Sequence, residues 1–505
     1  MRAAHTVAQV RAAETPLLAA LPPGALMQRA VAGLVAHAAR FLAGRVYGRR
    51  VVVLAGSGDN GGDALWAGAR LAARGARVDV LASGRTHAAS TAALLEAGGR
   101  LHLVDAPGLA GDDVRRLVDR ADLVLDGLLG IGGRAGLRGA YARLAELAPA
   151  ERTIAVDVPS GVDADTGAAP GTAVHAALTV TFGTYKRGLL LGGGASHAGE
   201  LALVDIGLDL PAPDLLALDD PNVTALLPQP GPADSKYTRG VLGLVGGSDR
   251  YPGAVVLATG GALRGGAGYL RVVADARAAE HVRSAHPETV VTVIEPGDAD
   301  AMLGAGRVQA WAFGPGVVPD AAARRLLDAL VATELPLLLD AGALDPFAEA
   351  FAAGRAVLGR RAAPVVLTPH EGEFARLTST ALGWDADATR RELATDRLGT
   401  ARRAAAALGA TVLLKGNRTI VVDPGGAARV NTTGTPWLGS AGTGDVLTGL
   451  AGSLLATGLG ALDAVSAAAY LHGVAGQLAP HPLSAADLPR VLPAAIAHVR
   501  AGVAR

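Results

Sequence analysis

Four short apolar runs in this chain end on acidic side chains set close to glycines. The stretch "VVVLAGSGDNGGDALW", residues 51–66, runs into Asp59, Asn60, Gly61, Gly62 and Asp63. "LVLDGLLGIGGRAG" carries Asp126 ahead of a second glycine-rich loop, and "IAVDVPSGVDADTG" carries Asp157 and Ser160. "TPWLGSAGTGDVLTGLAGSLLATG" leads a glycine turn into Asp445 at the start of a long apolar segment. A positioned carboxylate can move a proton, and carboxylate, amide and hydroxyl oxygens together can coordinate a cation. Free amides at a helix start can stabilise negative charge on a transferring phosphoryl group, while a carboxylate beside them takes a hydroxyl proton. The plainer alternative is that each Asp or Ser only caps the following helix. Three in succession along one sheet edge fit that reading less well.

Other groups join these. "LLKGNRT" puts Lys415 behind a strand, either as a cation for nucleotide phosphates or simply solvated, and "LTPHEGEF" puts His370, Glu371 and Glu373 at another strand end. No G-x-x-x-x-G-K-[ST] occurs, so nucleotide chemistry here is not of the P-loop kind. Residues 56–61 match G-x-G-x-x-G, with a strand before, a helix after and Asp79 about 20 residues on, the context of a Rossmann fingerprint. Yet Asp59, Asn60 and Asp63 crowd a turn that should present bare amides to a pyrophosphate. Dinucleotide binding, a different ligand and a turn needed only for packing all remain open on these residues.

The elements that must position them alternate regularly. β-Branched runs such as "RVVVLAG", "ARVDVLAS", "RTIAVDVPSG" and "LTVTFGT" are separated by Ala/Leu/Arg segments of helical spacing, the signature of β-α-β units on a parallel sheet. Residues 211–232 carry six prolines, which predicts an irregular, semi-rigid connection. The alternation resumes with "GVLGLVGGS", "AGYLRVVAD", "VQAWAFGPG", "LPLLLDAG" and "ATVLLKGNRTIVVD". At 505 residues the chain exceeds what one core supports, so two α/β domains are expected, residues 1–219 and 220–505. Without cysteine, and with 3% aromatics, the core must be Leu, Val and Ala, with no disulfide and no thiolate metal site. Lys plus Arg and Asp plus Glu are both 46, so no net field draws the chain to nucleic acid or anionic membrane. The most apolar stretch, residues 449–476, contains Asp463 and His472 and reads as a buried helix pair. The expectation is a soluble cytoplasmic protein without nucleic-acid or membrane partners, acting as a homo-oligomer.

"GSGDNGGDAL", "DGLLGIGGRAG" and "VDVPSGVDADTG" resemble, in order, the N-N-G-G-D-G, D-x-x-x-G-x-G and V-D-x-P-S-G motifs of the NAD(P)H-hydrate epimerase family, the YjeF N-terminal domain. The resemblance covers about residues 1–215. It implies a Rossmann-like fold that interconverts the R and S epimers of hydrated NADH or NADPH. Asn60, Asp126 and Ser160 would help hold a potassium ion. The hydrate would lie against residues 59–63, the turn Gly130, Ile131, Gly132 and Gly133, and Arg134, Ala135 and Gly136, with Asp157 at the reacting ring. Asp59 stands where the family has a first Asn, and Ala64 where it has Gly.

The second half, over about residues 235–455, is similar to the ADP-dependent NAD(P)H-hydrate dehydratase family, the YjeF C-terminal domain, in "KYTRGVLGLVGGSDRYPGA", "ALRGGAGYLRV", "GPG", "LTPHEGEF", "VLLKGNRT" and "GTGDVLTG". That implies a larger, ribokinase-like domain. Ala254, Gly316, His370 and Asp445 would contact the S hydrate; Lys415, Gly416, Asn417, Arg418, Thr419 and Gly444 would bind the adenine nucleotide. ADP would phosphorylate the ring hydroxyl, with Asp445 as base and magnesium present, and loss of phosphate would restore the dihydronicotinamide. Gly342 stands where the family has a second Asp after Asp340. The competing readings are a ribokinase-like small-molecule kinase fused to a Rossmann-like domain, and a regulatory protein that keeps the folds without catalysis.

Overall fold

Short apolar runs become parallel strands because helices cover them on both faces, so that no residue of the run needs to be polar. The computed structural model describes residues 1–105, 111–356, 358 and 361–502. The chain divides into two units, Ala3–Leu215 and, with Met1–Arg2, Leu216–Arg505.

The first unit is built on seven parallel strands in the order Arg100–Leu103, Arg77–Ala82, Arg50–Ala55, Leu123–Gly127, Thr153–Val156, Leu178–Phe182 and Glu200–Val204. Along the strand Arg50–Ala55, Val51 and Val53 enter one apolar cluster with Leu34 and Leu65, while Val52 and Leu54 enter another with Val114 and Leu144. The helices Ala25–Phe41 and Asp59–Ala73 supply the first cluster, Gly111–Asp119 and Gly139–Leu147 the second. Strand order reverses where Arg50–Ala55 pairs with Leu123–Gly127. In open α/β sheets that switch point is where a crevice opens for ligands. The glycine turn sits there. A Cβ on Gly61 would strike the carbonyl oxygen of Gly56, and one on Gly56 the carbonyl oxygen of Leu128, so these glycines are required by close backbone approach.

Asp79 lies inside the strand Arg77–Ala82, where it accepts hydrogen bonds from Arg100 Nε and Nη2, each at 2.8 Å, with His102 Nε2 also at 2.8 Å. It is a structural ion pair and does not stand free for a ribose, which removes one support of the dinucleotide-cofactor reading.

In the second unit the parallel order is Val290–Val293, Tyr269–Ala274, Val241–Val245, Ala310–Phe313, Leu337–Leu339, Val365–Leu367 and Thr411–Leu414, followed by the antiparallel strands Ile420–Val422 and Ala428–Val430. Its switch point lies between Val241–Val245 and Ala310–Phe313. The apolar stretch 449–476 falls in two buried helices, Thr443–Ala456 and Ala461–Leu478. Among the described residues, no single helix is long and apolar enough to cross a membrane.

Residues 211–232 correct the expectation of an irregular connection. They contain a strand, Leu215–Ala217, and a helix, Asp220–Leu226. Pro221 sits in that helix's first turn, where a missing N–H breaks no intrahelical bond, and Asp219 caps the start reciprocally with Asn222.

Two candidate active sites

The first site assembles around the switch point of the seven-stranded sheet. Asp59, Asn60 and Asp63 fall in the opening turns of the helix Asp59–Ala73, with Gly61 and Gly62 buried between them. Asp126, in the strand Leu123–Gly127, is fully buried. Its Oδ1 accepts from Ser160 Oγ at 2.6 Å and Leu128 N at 3.3 Å, and its Oδ2 from Ser160 N at 2.8 Å. Burial pushes the Asp126 carboxyl up to about 6, against the pull of these bonds. Asp126, Asp157 and Ser160 are not helix caps here: the helices that follow are capped by Arg138, Lys186 and Leu191.

Asn60 Nδ2 is buried without a hydrogen-bond partner. A Cβ on Gly130 would come within 3.0 Å of the Asn60 side chain, so the loop of residues 130–136 passes against it. Ile131 packs into a small cluster with Val158 and Val162, Gly133 N donates to Gly130 O at 2.9 Å, and Gly136 N donates to Gly161 O at 2.8 Å. Arg134 projects outward and Ala135 is half-buried. Asp126 and Ser160 present oxygens of the kind a hard cation takes, and Asn60 would add its amide oxygen, since the orphaned Nδ2 is a donor that a cation cannot use. Among the described residues, no cluster of three His, Asp or Glu side chains is arranged to hold a metal ion.

Asp157 adopts a positive φ of 66° at the end of its strand, a strained conformation that concentrates at functional positions. Its Oδ1 receives every donor: the Lys186 ammonium, Thr181 Oγ1 at 3.1 Å and Phe182 N at 3.1 Å. Oδ2 accepts from no described residue and is left for a ligand. Lys186 is 1% exposed and also donates to Phe182 O at 2.8 Å. Asp63 Oδ1 is buried without a partner, and its carboxyl is held well above the usual range by burial, with Asp157, Asp59 and Glu14 adding to the effect against Lys186. Glu14 comes from the helix Val7–Ala20, and burial raises its carboxyl too. That helix is fixed by a Thr6 capping box and by Val7 N donating to Asp165 Oδ1 at 2.8 Å. Its Arg11 Nη2 lies 3.3 Å from where a Gly132 Cβ would stand.

The second site centres on the helix Thr443–Ala456. Gly442 occupies the cap, with no side-chain cap bond, so Asp445 in the first turn is not the cap. Lys415, behind the strand Thr411–Leu414, lies 2.7 Å from Asp340 Oδ1 and 3.8 Å from Glu373 Oε2. Asp340 Oδ2 accepts from Thr448 Oγ1 at 2.5 Å, on the same helix as Asp445. Burial, then Asp340, push the Asp445 carboxyl up to about 7; Lys415 opposes and Glu373 adds to the rise. His472, buried and pushed down to about 4 by desolvation, is neutral at pH 7 and braces the helix start through Nε2 at 2.9 Å from Thr443 O.

His370 does cap a helix, Glu371–Leu382. Its Nδ1 accepts from Gly372 N at 3.0 Å and Glu373 N at 3.3 Å, and His370 N donates to Glu373 Oε2 at 2.8 Å. An accepting Nδ1 places the proton of the neutral ring on Nε2, which lies 3.5 Å from Glu373 Oε1. Ala254 and Gly316 come together: Gly316 has φ +73°, and its Cβ would stand 3.1 Å from Ala254 Cβ. Gly416, Asn417, Arg418 and Thr419 form the turn to the strand Ile420–Val422, closed by Thr419 Oγ1 donating to Gly416 O at 2.9 Å and held by Arg418 Nη1 donating to Thr432 O at 2.9 Å. A Cβ on Gly444 would lie 3.5 Å from Lys415 Nζ, which joins this turn to the helix start. A Cβ on Gly342 would strike the Val317 carbonyl oxygen, so the backbone here has no room for an acidic side chain at that position.

Sequence reading missed Lys186, Glu14 and the pairing of Asp340 with Lys415 and Thr448. Lys186 carried the same signal as Lys415, a lysine just behind a strand. Glu14 gave none, because nothing local distinguishes it from other acids on a surface helix.

Two mainly parallel sheets, the first with acid–base groups at its switch point and the second with them behind the strands Leu337–Leu339 and Thr411–Leu414, make this a two-domain α/β enzyme with a Rossmann-like first half and a ribokinase-like second half. Residues 242–497 match the family model described as NAD(P)H-hydrate dehydratase, and residues 23–188 that described as YjeF-related protein N-terminus. The bifunctional NAD(P)H-hydrate repair enzyme of Mycobacterium tuberculosis is 45% identical over 466 residues, covering 91% of this chain and 90% of that protein. Its counterpart in Mycobacterium leprae is 42% identical over 511 residues and 100% of both chains. The ADP/ATP-dependent NAD(P)H-hydrate dehydratase from Bacillus subtilis, co-crystallised with ATP/Mg2+, is 31% identical and covers 56% of this chain and 98% of its own, with a TM-score of 0.50. The chain belongs to the family of bifunctional NAD(P)H-hydrate repair enzymes.

Proposed function

We propose that this chain, in the cytoplasm, epimerises hydrated NADH and NADPH in its first unit and dehydrates the S epimer in its second, with ADP as phosphoryl donor. The observation that carries the reading is Asp445, a carboxyl pushed up to about 7 in the first turn of a helix, close enough to Lys415, Asp340 and Glu373 to feel their charges. A base poised near neutral pH is matched to taking a hydroxyl proton. Asp445 removes the proton of the ring hydroxyl, whose oxygen bonds to the terminal phosphorus of ADP, and AMP departs. Phosphate then leaves with its C–O bonding pair, a neighbouring carbon gives up a proton and the ring double bond returns. The free amides at the helix start meet the charge on the moving phosphoryl group. His370 Nε2–H and the close Ala254–Gly316 surface orient the hydrate, while Lys415 and the turn of residues 416–419 hold the nucleotide. Magnesium, arriving with nucleotide phosphates and needing only one or two carboxylates, would neutralise charge in that transfer, and Asp340 and Glu373 are the nearby acids.

In the first unit, the hydroxyl leaves as water while the ring nitrogen's lone pair forms the iminium bond, and Asp157, a carboxylate fixed by Lys186, takes the proton of the water that re-adds to that carbon on either face. Asp63, whose carboxyl burial raises well above the usual range, gives the proton with which the hydroxyl leaves. A potassium ion held by Asn60, Asp126 and Ser160 would place fixed positive charge beside the loop of residues 130–136.

The test is recovery of dihydronicotinamide absorbance from mixed R and S hydrate with ADP. Full recovery supports both activities, recovery of the S fraction alone removes the epimerase, and a phosphorylated product that persists replaces the dehydratase with a kinase. Exchanging potassium for choline is expected to slow epimerisation about tenfold or more while S-hydrate dehydration continues. Asp126→Asn should show the same loss and no further response to potassium, measured by chromatographic separation of the epimers.

A further inference from the structure

Epimerisation leaves a proton in the wrong place. Each turnover takes one from Asp63 for the departing hydroxyl and puts one on Asp157 from the incoming water. Asp157 protonated and Asp63 ionised is the arrangement that runs the same reaction backwards, so a second turnover in the first direction needs the proton returned to Asp63. Asp63 is 9% exposed and Asp157 7%, so neither carboxyl exchanges freely with bulk water.

One acid of this site, Glu14, has no part in the steps above. It belongs to the helix Val7–Ala20, whose buried Val10 and Ala13 fix the way the helix is turned. Val7 packs on the cluster of Val158 and Val162, just past Asp157, and Arg11 reaches Gly132 in the loop of residues 130–136. Steps of four and three residues keep Val7, Arg11 and Glu14 on one helix face, so Glu14 continues that line along the site. There it faces Lys186, Asp157 and Asp59, with Arg11 on its own helix, and Asp63 in turn feels its charge. Among the described residues no donor holds the Glu14 carboxyl, and the side chain is half-buried, open on one side to solvent. Asp63 Oδ1 is likewise without a partner. Burial raises the Glu14 carboxyl and raises that of Asp63 well above the usual range, which brings their proton affinities closer and lowers the cost of a transfer between them.

We propose that Glu14 returns the proton from Asp157 to Asp63 between turnovers, acting through those two carboxyls without touching the hydrate. The O–H bond on Asp157 breaks as one forms on Glu14, and that bond breaks in turn as one forms on Asp63, directly or over one water, so no proton is gained or lost. The inference rests on the epimerase reading of Asp157 and Asp63. It is tested in full-length protein by following R hydrate into S hydrate, above the unaided rate, in dilute buffer and with added acetate. Glu14→Gln should lower kcat for epimerisation about tenfold with KM little changed, and acetate should restore much of it, because a small free acid can carry the proton instead. Wild type should not respond to acetate, and Glu14→Asp should keep most of its activity. A merely structural glutamate would not be replaced by acetate, and unchanged S-hydrate dehydration reports that the second unit is intact. Full kcat in Glu14→Gln, or a loss that acetate does not relieve, overturns the inference and leaves the epimerase reading standing. Wild-type protein that leaves R hydrate unconverted overturns both.

Discussion

Asp445→Asn is expected to stop ADP-dependent recovery of dihydronicotinamide from the S hydrate, with a loss of about 10²- to 10⁴-fold in kcat and unimpaired binding of ADP. The size follows from its role: no other described carboxylate lies in the first turn of the helix Thr443–Ala456, and Asp340 and Glu373 are already engaged with Lys415. In the wild type, kcat/KM should rise with pH through about 7 as Asp445 loses its proton. Asp340→Asn removes the nearby negative charge that, after burial, does most to raise that carboxyl, so the rising limb should move to lower pH. The same carboxyl has a consequence for stability. A carboxyl raised in the folded state binds its proton more tightly than in the unfolded chain, so its contribution falls as pH climbs from the ordinary Asp range past about 7. Asp445→Asn should therefore melt higher than wild type at pH 8, with the difference closing below pH 5. An inactive variant that melts lower at pH 8 would mean that Asp445 serves the fold first.

Lys186→Met should produce the largest loss in the first unit. It leaves the Asp157 carboxylate buried without its counter-charge, and breaking a buried pair in this way costs about 3–5 kcal/mol. Asp157→Asn leaves the lysine in the same difficulty and also removes the base. Both variants should lose epimerisation by about 10²-fold or more. With mixed hydrate and ADP, absorbance should then recover only to the S fraction present at the start. The double variant Asp157→Asn with Lys186→Met separates the two effects, because it carries no unpaired buried charge: it should regain much of the melting temperature and none of the epimerisation. Regained epimerisation would remove Asp157 from the chemistry.

The parts of this molecule that could be read in its sequence are those fixed by short-range geometry. A catalytic Asp behind a β-branched run, with glycines where backbones approach, is written in fewer than about a dozen consecutive residues, and both sheets announced themselves by the alternation of such runs with helices. What stayed hidden depends on residues distant in the chain. Lys186 reaches Asp157 across 29 positions and Lys415 reaches Asp340 across 75, and the chain between them carries no mark of either meeting. The strands Arg100–Leu103 and Val290–Val293 went unread because they lie at sheet edges, where one side is open and the apolar run is broken. The prolines of residues 211–232 misled for a local reason: Pro221 falls at one of the few helix positions where proline is harmless. Asp79 had the spacing of a ribose ligand, and only the register of the neighbouring strand, which sets Arg100 and His102 beside it, shows otherwise.

The described groups of the first site, from Glu14 to Lys186, fall within Ala3–Leu215, and those of the second, from Ala254 to His472, within Leu216–Arg505. Neither borrows a side chain from the other. Selection can therefore discard, duplicate or retune one half of the gene without rewriting the other. A lineage in which unaided interconversion of the epimers is fast enough could shed the first half and keep a working second one. In this chain, changes around Asp59 and changes around Gly342 can accumulate independently, each judged only by the reaction in its own half.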